Sequence, residues 1–391
     1  MRLSIFADSK FITDGKGNFY SSSNVRKAML SPVAQRFETV NIVCRLQQGD
    51  LAEIPKEDLI NNPKINFFGV PFFKGPLGQF FFKKHILIQA EKAVSQSDVC
   101  LMRFASTISC VSMAVVKKHR KPSIGHALGE FGMEPEKNPR HIPVSVLRKP
   151  IARWIEKTNS RNFESCDVLC GVTKSIAQRY ASPGRRVYQL VDSCLGPEYY
   201  SPPHQPKKND FTAIFAGRIN EFKNIQSFLQ AVALLKKENI IIRVVIAGQG
   251  GFMANLKQLA KSLQLNGQVE FTGRIESRKE LWERYKTSDA GFLLSFSEGL
   301  PLGAIEPMSA GLPIIAADLD YIRPVITDGV EGFLVNPTDI DRIKEKLKIL
   351  ATREDIYSQM ARKAYEKSKN FSADRQAEVL VDLAKTVCMR S

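Results

Sequence analysis

Short apolar runs recur along the first 200 residues: LSIFA (3–7), TVNIVC (39–44), INFFGV (65–70), DVCLM (98–102), PSIGH (122–126) and DVLCGV (167–172). The rest of the chain repeats the pattern with TAIFAG (212–217), IIIRVVIAG (240–248), VEFTG (269–273), GFLLS (291–295), LPIIAA (312–317) and GFLV (332–335). Between them, apolar positions fall at helical spacing, as in NIQSFLQAVALLKK (224–237) and FMANLKQLAKSL (252–263). Continuous apolar runs bounded by turn residues read as buried strands, and the amphipathic stretches as crossover helices. The alternation predicts an α/β protein, with parallel sheets covered by helices on both faces. YSPPHQPKKND (200–210) is polar, proline-rich and without period, and reads as a domain linker. Two doubly wound domains are therefore expected, facing each other across a cleft, with ligands at the carboxyl ends of the strands.

Length agrees with this division, because 391 residues exceed what one hydrophobic core usually supports. With 43% hydrophobic and 25% charged residues the composition is that of a soluble globular protein, and no apolar run approaches a spanning helix. LSIFA is too short for a signal-peptide core and reads as a first buried strand. The seven cysteines are scattered and never spaced CxxC, which points to a reducing, cytoplasmic compartment without structural zinc. Net charge is +16, unevenly spread. Residues 1–200 carry 29 Lys and Arg against 17 Asp and Glu, whereas residues 201–391 carry 27 against 23. A basic first half attracts polyanions, either nucleic acid or an anionic membrane face.

Candidate chemistry gathers in the second half. TAIFAG ends in Gly217 and Arg218, and Lys223 precedes the helix near Asn224. Backbone amides, a helix start and two cations at one turn can hold phosphate. IIIRVVIAGQGG ends in Gly248 and Gly250, a glycine turn that is equally a packing feature. After VEFTG, Arg274 and Ile275 leave a strand with backbone groups suited to a base edge. In SFSEGLPLGAIEPMSAGLPII (295–315), Glu298 and Glu306 bracket a break at Gly299, Pro301 and Gly303. Glycines let backbone approach a ligand, and Leu302 and Gly303 stand ahead of a helix where a diphosphate is favoured. Paired carboxylates also serve glycoside hydrolysis, but neither glutamate has an evident partner to raise its pKa.

The ordered blocks FAGRINEFKN, IAGQGG, EFTGRI, SEGLPLGAIEPMSAGLPIIAAD and DGVEGFLVNP resemble the C-terminal half of the family 4 retaining glycosyltransferases of the GT-B fold. That family's signature, two glutamates separated by seven residues, is matched by Glu298 and Glu306. The resemblance implies that Glu306 holds the nucleotide ribose and Glu298 the transferred sugar. Gly299, Leu300, Leu302 and Gly303 would approach sugar and diphosphate, while Arg218 and Lys223 neutralise the leaving diphosphate. Gly217, Gly248, Arg274 and Ile275 complete the implied donor site. No metal, cofactor or protein nucleophile is implied; a UDP- or GDP-sugar is the co-substrate, and a donor phosphate oxygen deprotonates the acceptor.

The first half matches less. The family's adjacent glycines after the first strand correspond to DGKGN, where Lys16 separates Gly15 from Gly17, and His126 falls where the family often has a histidine near the sugar. Leu319-Asp320-Tyr321 replaces the family's paired glycines, and Pro307 replaces an alanine and would limit how early the helix begins. Asp318-Leu319-Asp320 and Asp339-Ile340-Asp341 both spell DxD, but a pattern met twice so closely is a poor metal signal, and Asp339 suits a helix cap.

In the basic half, Lys74, Lys83 and Lys84 lie among Phe72, Phe73, Phe80, Phe81 and Phe82, and KKHRK spans 117–121. The stretch reads either as a core helix with a basic end or as an interfacial patch for anionic lipid. The expected assignment is residues 1–203 as acceptor-binding domain, completed by a C-terminal helix at about 373–391, and 204–372 as nucleotide-sugar domain. The expected protein is a cytoplasmic glycosyltransferase, peripheral at the inner face of the plasma membrane, acting on a saccharide or lipid-linked acceptor in bacterial surface polysaccharide or lipopolysaccharide synthesis. Alternatives are a nucleotide-sugar 2-epimerase, a non-catalytic nucleotide-sugar-binding subunit, or a nucleic-acid-binding protein, for which no binding motif is present.

Overall fold

The computed structural model describes residues 1–21, 27–52, 54, 59–73, 78–129, 145–193, 195–206 and 210–389. The chain divides into two compact units, Met1–Cys194 with Ala373–Ser391, and Leu195–Ser372.

In the first unit the apolar runs become strands of one sheet, most of them paired on both edges and covered by helices on both faces. They are β1 (Arg2–Thr13), β2 (Phe19–Tyr20), β3 (Thr39–Gln48), β4 (Ile65–Pro71), β5 (Val99–Phe104), β6 (Ser123–Ala127), β7 (Val168–Gly171) and β8 (Val187–Gln189). Among the described residues they form one sheet in the order β4-β3-β1-β5-β6-β7-β8, parallel except that β2 pairs antiparallel with β1. Helices α1 (Lys27–Arg36), α2 (Gly78–Ser95), α3 (Thr107–Lys118), α4 (Ser145–Glu164) and α5 (Lys174–Tyr180) connect them. One core packs Leu3, Ile5 and Val40 against Leu380 and Leu383 of the last helix of the chain; the other packs Phe6 and Met102 against Ile86 and Val116.

β1 runs past the expected LSIFA. Its register slips between Phe6 and Lys10, where Asp8 turns aside to accept bonds from the Thr107 and Ile108 amides and from Ser106 at the start of α3. Buried Phe11 then carries the strand on to Thr13.

The second unit holds β9 (Phe211–Ala216), β10 (Ile242–Ala247), β11 (Val269–Gly273), β12 (Ala290–Leu293), β13 (Ile314–Ala317) and β14 (Gly332–Val335). The sheet order is β11-β10-β9-β12-β13-β14, parallel throughout. Its helices are α6 (Ile225–Lys237), α7 (Met253–Ser262), α8 (Arg278–Lys286), α9 (Leu302–Ser309), α10 (Ile340–Thr352) and α11 (Glu354–Ser368). The last helix of the chain, α12 (Ala373–Cys388), belongs to the first unit.

The division falls at Cys194/Leu195 rather than at 203/204. The stretch expected to be a free linker is packed on the second unit. The Ser201 amide donates to the Ser309 carbonyl (3.1 Å) and the Tyr200 hydroxyl to the Ser368 carbonyl (3.1 Å), and just ahead of the stretch Tyr199 meets Trp282 edge-on at 5.7 Å. Lys207, Lys208 and Asn209 of that stretch lie outside the described residues.

Candidate active site

The carboxyl ends of β9, β10 and β11 are laced together by backbone. The Gly217 amide donates to the Ala247 carbonyl (2.9 Å), Ile219 to Gln249 (3.0 Å) and Gly248 to Gly273 (2.8 Å). This crossing explains the glycines. A Cβ on Gly248 would stand 1.9 Å from the Gly217 oxygen, and one on Gly250 1.8 Å from the Ile219 oxygen. Their first role is therefore loop-on-loop packing, and the space that results is a cavity.

That cavity measures about 600 Å³ and lies at the strand ends, where doubly wound sheets bind ligands. Gly217, Arg218, Gly248, Arg274 and Ile275 line it from one side; Leu302, Gly303 and Glu306 of α9 close it from the other. Eight of the expected donor residues are thus brought together. Arg218 is exposed and, among the described residues, meets no carboxylate. The Arg274 guanidinium pairs with Glu276 at 2.9 Å.

Glu306 is not bare, as its sequence suggested. Arg278 Nη2 donates to Oε1 (3.2 Å) and the Tyr285 hydroxyl to Oε2 (3.3 Å). Burial, and then the Glu306 charge, push the Tyr285 pKa well up, so its hydroxyl stays a donor. Pro307 does not delay the helix: α9 begins five residues earlier at Leu302, and the ring lies against Gly291, where a Cβ would be 2.9 Å from Pro307 Cγ.

Lys223 and Glu298 are ion-paired with each other, both mostly buried. Their loops are joined by the Phe296 amide donating to the Phe222 carbonyl (2.9 Å), which leaves both phenyl rings nearly half exposed beside the pair. Asn224, at φ 50°, turns the chain into α6 and donates from Nδ2 to the Pro337 carbonyl (2.6 Å). Gly299 and Leu300 lie in the following turn, where the Leu302 amide donates to the Leu300 carbonyl (2.8 Å). Tyr321, standing where family glycines were expected, donates to the Ser295 carbonyl (2.6 Å) beneath Glu298.

One first-unit expectation changes. His126, expected near the sugar, lies within β6, fully buried, with Nε2 2.8 Å from the Leu190 carbonyl and Nδ1 3.9 Å from Asp192. Burial lowers its pKa to about 4, partly opposed by Asp192, which itself forms a buried ion pair with Arg103. Such an imidazole is part of the core. Gly15, Lys16 and Gly17 lie in the loop after the first strand, as expected, and form the exposed tip of the β1–β2 hairpin. Asp14 closes that tip by accepting from the Lys16 amide (2.7 Å) and Asn18 Nδ2 (2.7 Å), while Gly15 and Gly17 supply φ of 75° and 93°.

Of the DxD patterns, Asp318 and Asp320 both pair with Arg323 (2.8 and 2.9 Å), and Asp339 caps α10 by accepting from the Arg342 amide (2.9 Å). Sequence reasoning missed Arg278, Tyr285 and Tyr199. The one available signal was their chemistry: an arginine and a tyrosine seven apart, hence on one helix face.

Residues 198–367 match the family model described as Glycosyl transferases group 1. The putative glycosyltransferase EpsD of Bacillus subtilis (strain 168) is 28% identical over 250 residues, 61% of this chain and 64% of that protein. The alpha-monoglucosyldiacylglycerol synthase of Streptococcus pneumoniae is 35% identical over 123 residues, 32% of this chain and 28% of that protein. The chain thus spans less than two thirds of these curated relatives. The crystal structure of Anabaena Alr3699/HepE in complex with UDP and glucose superposes with a TM-score of 0.66 at 15% identity, covering 99% of this chain and all of that one. The fold is GT-B.

Proposed function

From the match of residues 198–367 to the group 1 glycosyltransferase model and from the GT-B fold of the chain, we propose that it transfers a sugar, with retention, from a UDP- or GDP-sugar to a saccharide or lipid-linked saccharide. The setting proposed is synthesis of a bacterial surface polysaccharide or lipopolysaccharide. The observation that carries this reading is the 600 Å³ cavity, which joins an unpaired arginine, an α9 helix start and a partnered carboxylate. Arg218 offsets the negative charge that grows on the diphosphate as the glycosidic bond breaks, and the α9 start adds its dipole. Lys223 joins it when it exchanges Glu298 for phosphate, which frees Glu298 for sugar hydroxyls. Glu306 accepts from the ribose hydroxyls. A donor phosphate oxygen takes the acceptor proton on the face of departure, so the anomeric configuration is kept. The first unit binds the acceptor, and the second the donor.

An anionic membrane face is the proposed workplace, reached as a peripheral protein from the cytoplasm. Among the described residues no helix is long and apolar enough to cross a membrane. The aromatic stretch splits at α2: Phe73 and Phe82 stack at 5.6 Å in the core, while Phe81 (79% exposed) and Ile88 (45%) face out on the same surface as Lys83 and Lys84. Lys74 and the side chain of Phe80 lie outside the described residues. Outward apolar groups flanked by lysines suit a headgroup layer.

Donor turnover in EDTA tests the chemistry. Nucleoside diphosphate release should persist, and Arg218→Ala should lower kcat by about 10²-fold or more. Strict dependence on a divalent ion would overturn the mechanism.

A further inference from the structure

Helix α8 holds two side chains on the same carboxylate. Arg278 and Tyr285 are seven residues apart, two turns, so they lie on one face, and Trp282 between them is buried against Tyr199 and Tyr285. Each takes one oxygen of Glu306, Arg278 at Oε1 and Tyr285 at Oε2. Arg278 is itself fixed from behind, its guanidinium 4.7 Å over the Tyr199 ring. Glu306 meanwhile lines the cavity from α9, with its side chain only 17% exposed.

A carboxylate accepts several bonds, and two of its acceptor positions are spent on α8. Because Glu306 lines the cavity, its remaining lone pairs are available there, on a carboxylate held by a buried tyrosine that stays protonated and by an arginine packed between an aromatic ring and the carboxylate. A lone glutamate on a short helix would sample several rotamers; a doubly held one presents two acceptors at fixed spacing. That arrangement selects a ligand with two adjacent hydroxyls.

We propose that Arg278 and Tyr285 are positioning residues that make Glu306 a reader of the vicinal ribose diol, and so set the discrimination between ribonucleoside and deoxyribonucleoside diphosphates. The proposal rests on the donor-site reading above. The two residues act through Glu306 and leave the diphosphate contacts of Arg218 untouched. Binding energy from the diol is therefore the quantity they control.

The test is calorimetric affinity of the full chain for uridine and guanosine diphosphates, each in its ribose and its 2′,3′-dideoxyribose form. Wild type should prefer the ribose form. Tyr285→Phe, which keeps the ring, and Arg278→Gln should each reduce that preference on the order of 3- to 10-fold, while affinity for the dideoxy form stays unchanged. In a Glu306→Gln background neither substitution should change the ratio further. Arg278→Lys, keeping charge but not the planar fork, should recover part of it. A fall in both affinities alike, or an unchanged ratio in folded variants, overturns the inference alone. A wild-type chain that binds no nucleoside diphosphate overturns the donor-site reading and this inference together.

Discussion

A single histidine illustrates how burial decides what a residue does. His126 stood in the sequence where a sugar-binding histidine was expected, but it is held in β6 between the Leu190 carbonyl and the Arg103–Asp192 pair. Its pKa near 4, below an unfolded value of about 6.5, means the fold keeps the neutral form. Between those pH values the unfolded chain binds the extra proton, so the contribution is complete above about 6.5 and is lost as pH falls toward 4. The total is on the order of 3 kcal/mol. Urea unfolding at pH 7.5 and pH 5 should show a stability loss that His126→Gln largely removes, since glutamine keeps a donor for Leu190 but does not titrate. An equal loss in the variant would show that His126 is not the titrating group. The glutamates were legible as a pair because their spacing is a linear pattern. Their partners were not: Lys223 on Glu298 and Arg278 and Tyr285 on Glu306 come from elements 75, 28 and 21 residues away.

Among elements, long apolar runs were readable because a parallel strand buried on both faces has no polar alternation to confuse it. Every run named from the sequence became a strand, whereas β2 and β8, two and three residues long, carry too little pattern to find. The boundary at residue 195 was also hidden, because Tyr200 and Ser201 look like linker and are secured only by tertiary contacts. The β9 and β10 loops make the sharper case. Gly248 and Gly250 read equally as ligand contacts or as packing features, and the structure gives them a packing reason first. Gly250→Ala forces a Cβ into the Ile219 carbonyl and should cost roughly 1–3 kcal/mol of stability together with the shape of the cavity. Gly251→Ala, with nothing within 4 Å of the added Cβ, should stay within about 0.5 kcal/mol. Thermal melting of the two variants separates the cases; equal melting temperatures would mean the loops yield freely.

At the scale of the whole chain, net charge +16 is a field rather than a site, and its consequence is attraction to anionic surfaces that salt screens within about 8 Å at physiological ionic strength. Sedimentation with vesicles rich in anionic lipid should weaken steeply with salt, and Phe81→Ser with Lys83→Gln and Lys84→Gln should weaken it further. Equal binding to neutral vesicles would assign the basic face another purpose. The chemistry proposed lies in the second unit, with its cavity binding the nucleoside diphosphate of a sugar donor without a metal. The most direct measurement is calorimetric titration of the full chain with uridine and guanosine diphosphates in EDTA, repeated for Arg218→Ala, Glu306→Gln and Glu298→Gln. At least one of them should bind, with affinity reduced tenfold or more in the first two variants. Glu298→Gln should bind it as tightly as wild type or more so, because Lys223 is released from its carboxylate partner. No binding in EDTA, or binding that the Arg218 and Glu306 substitutions leave untouched, would contradict it.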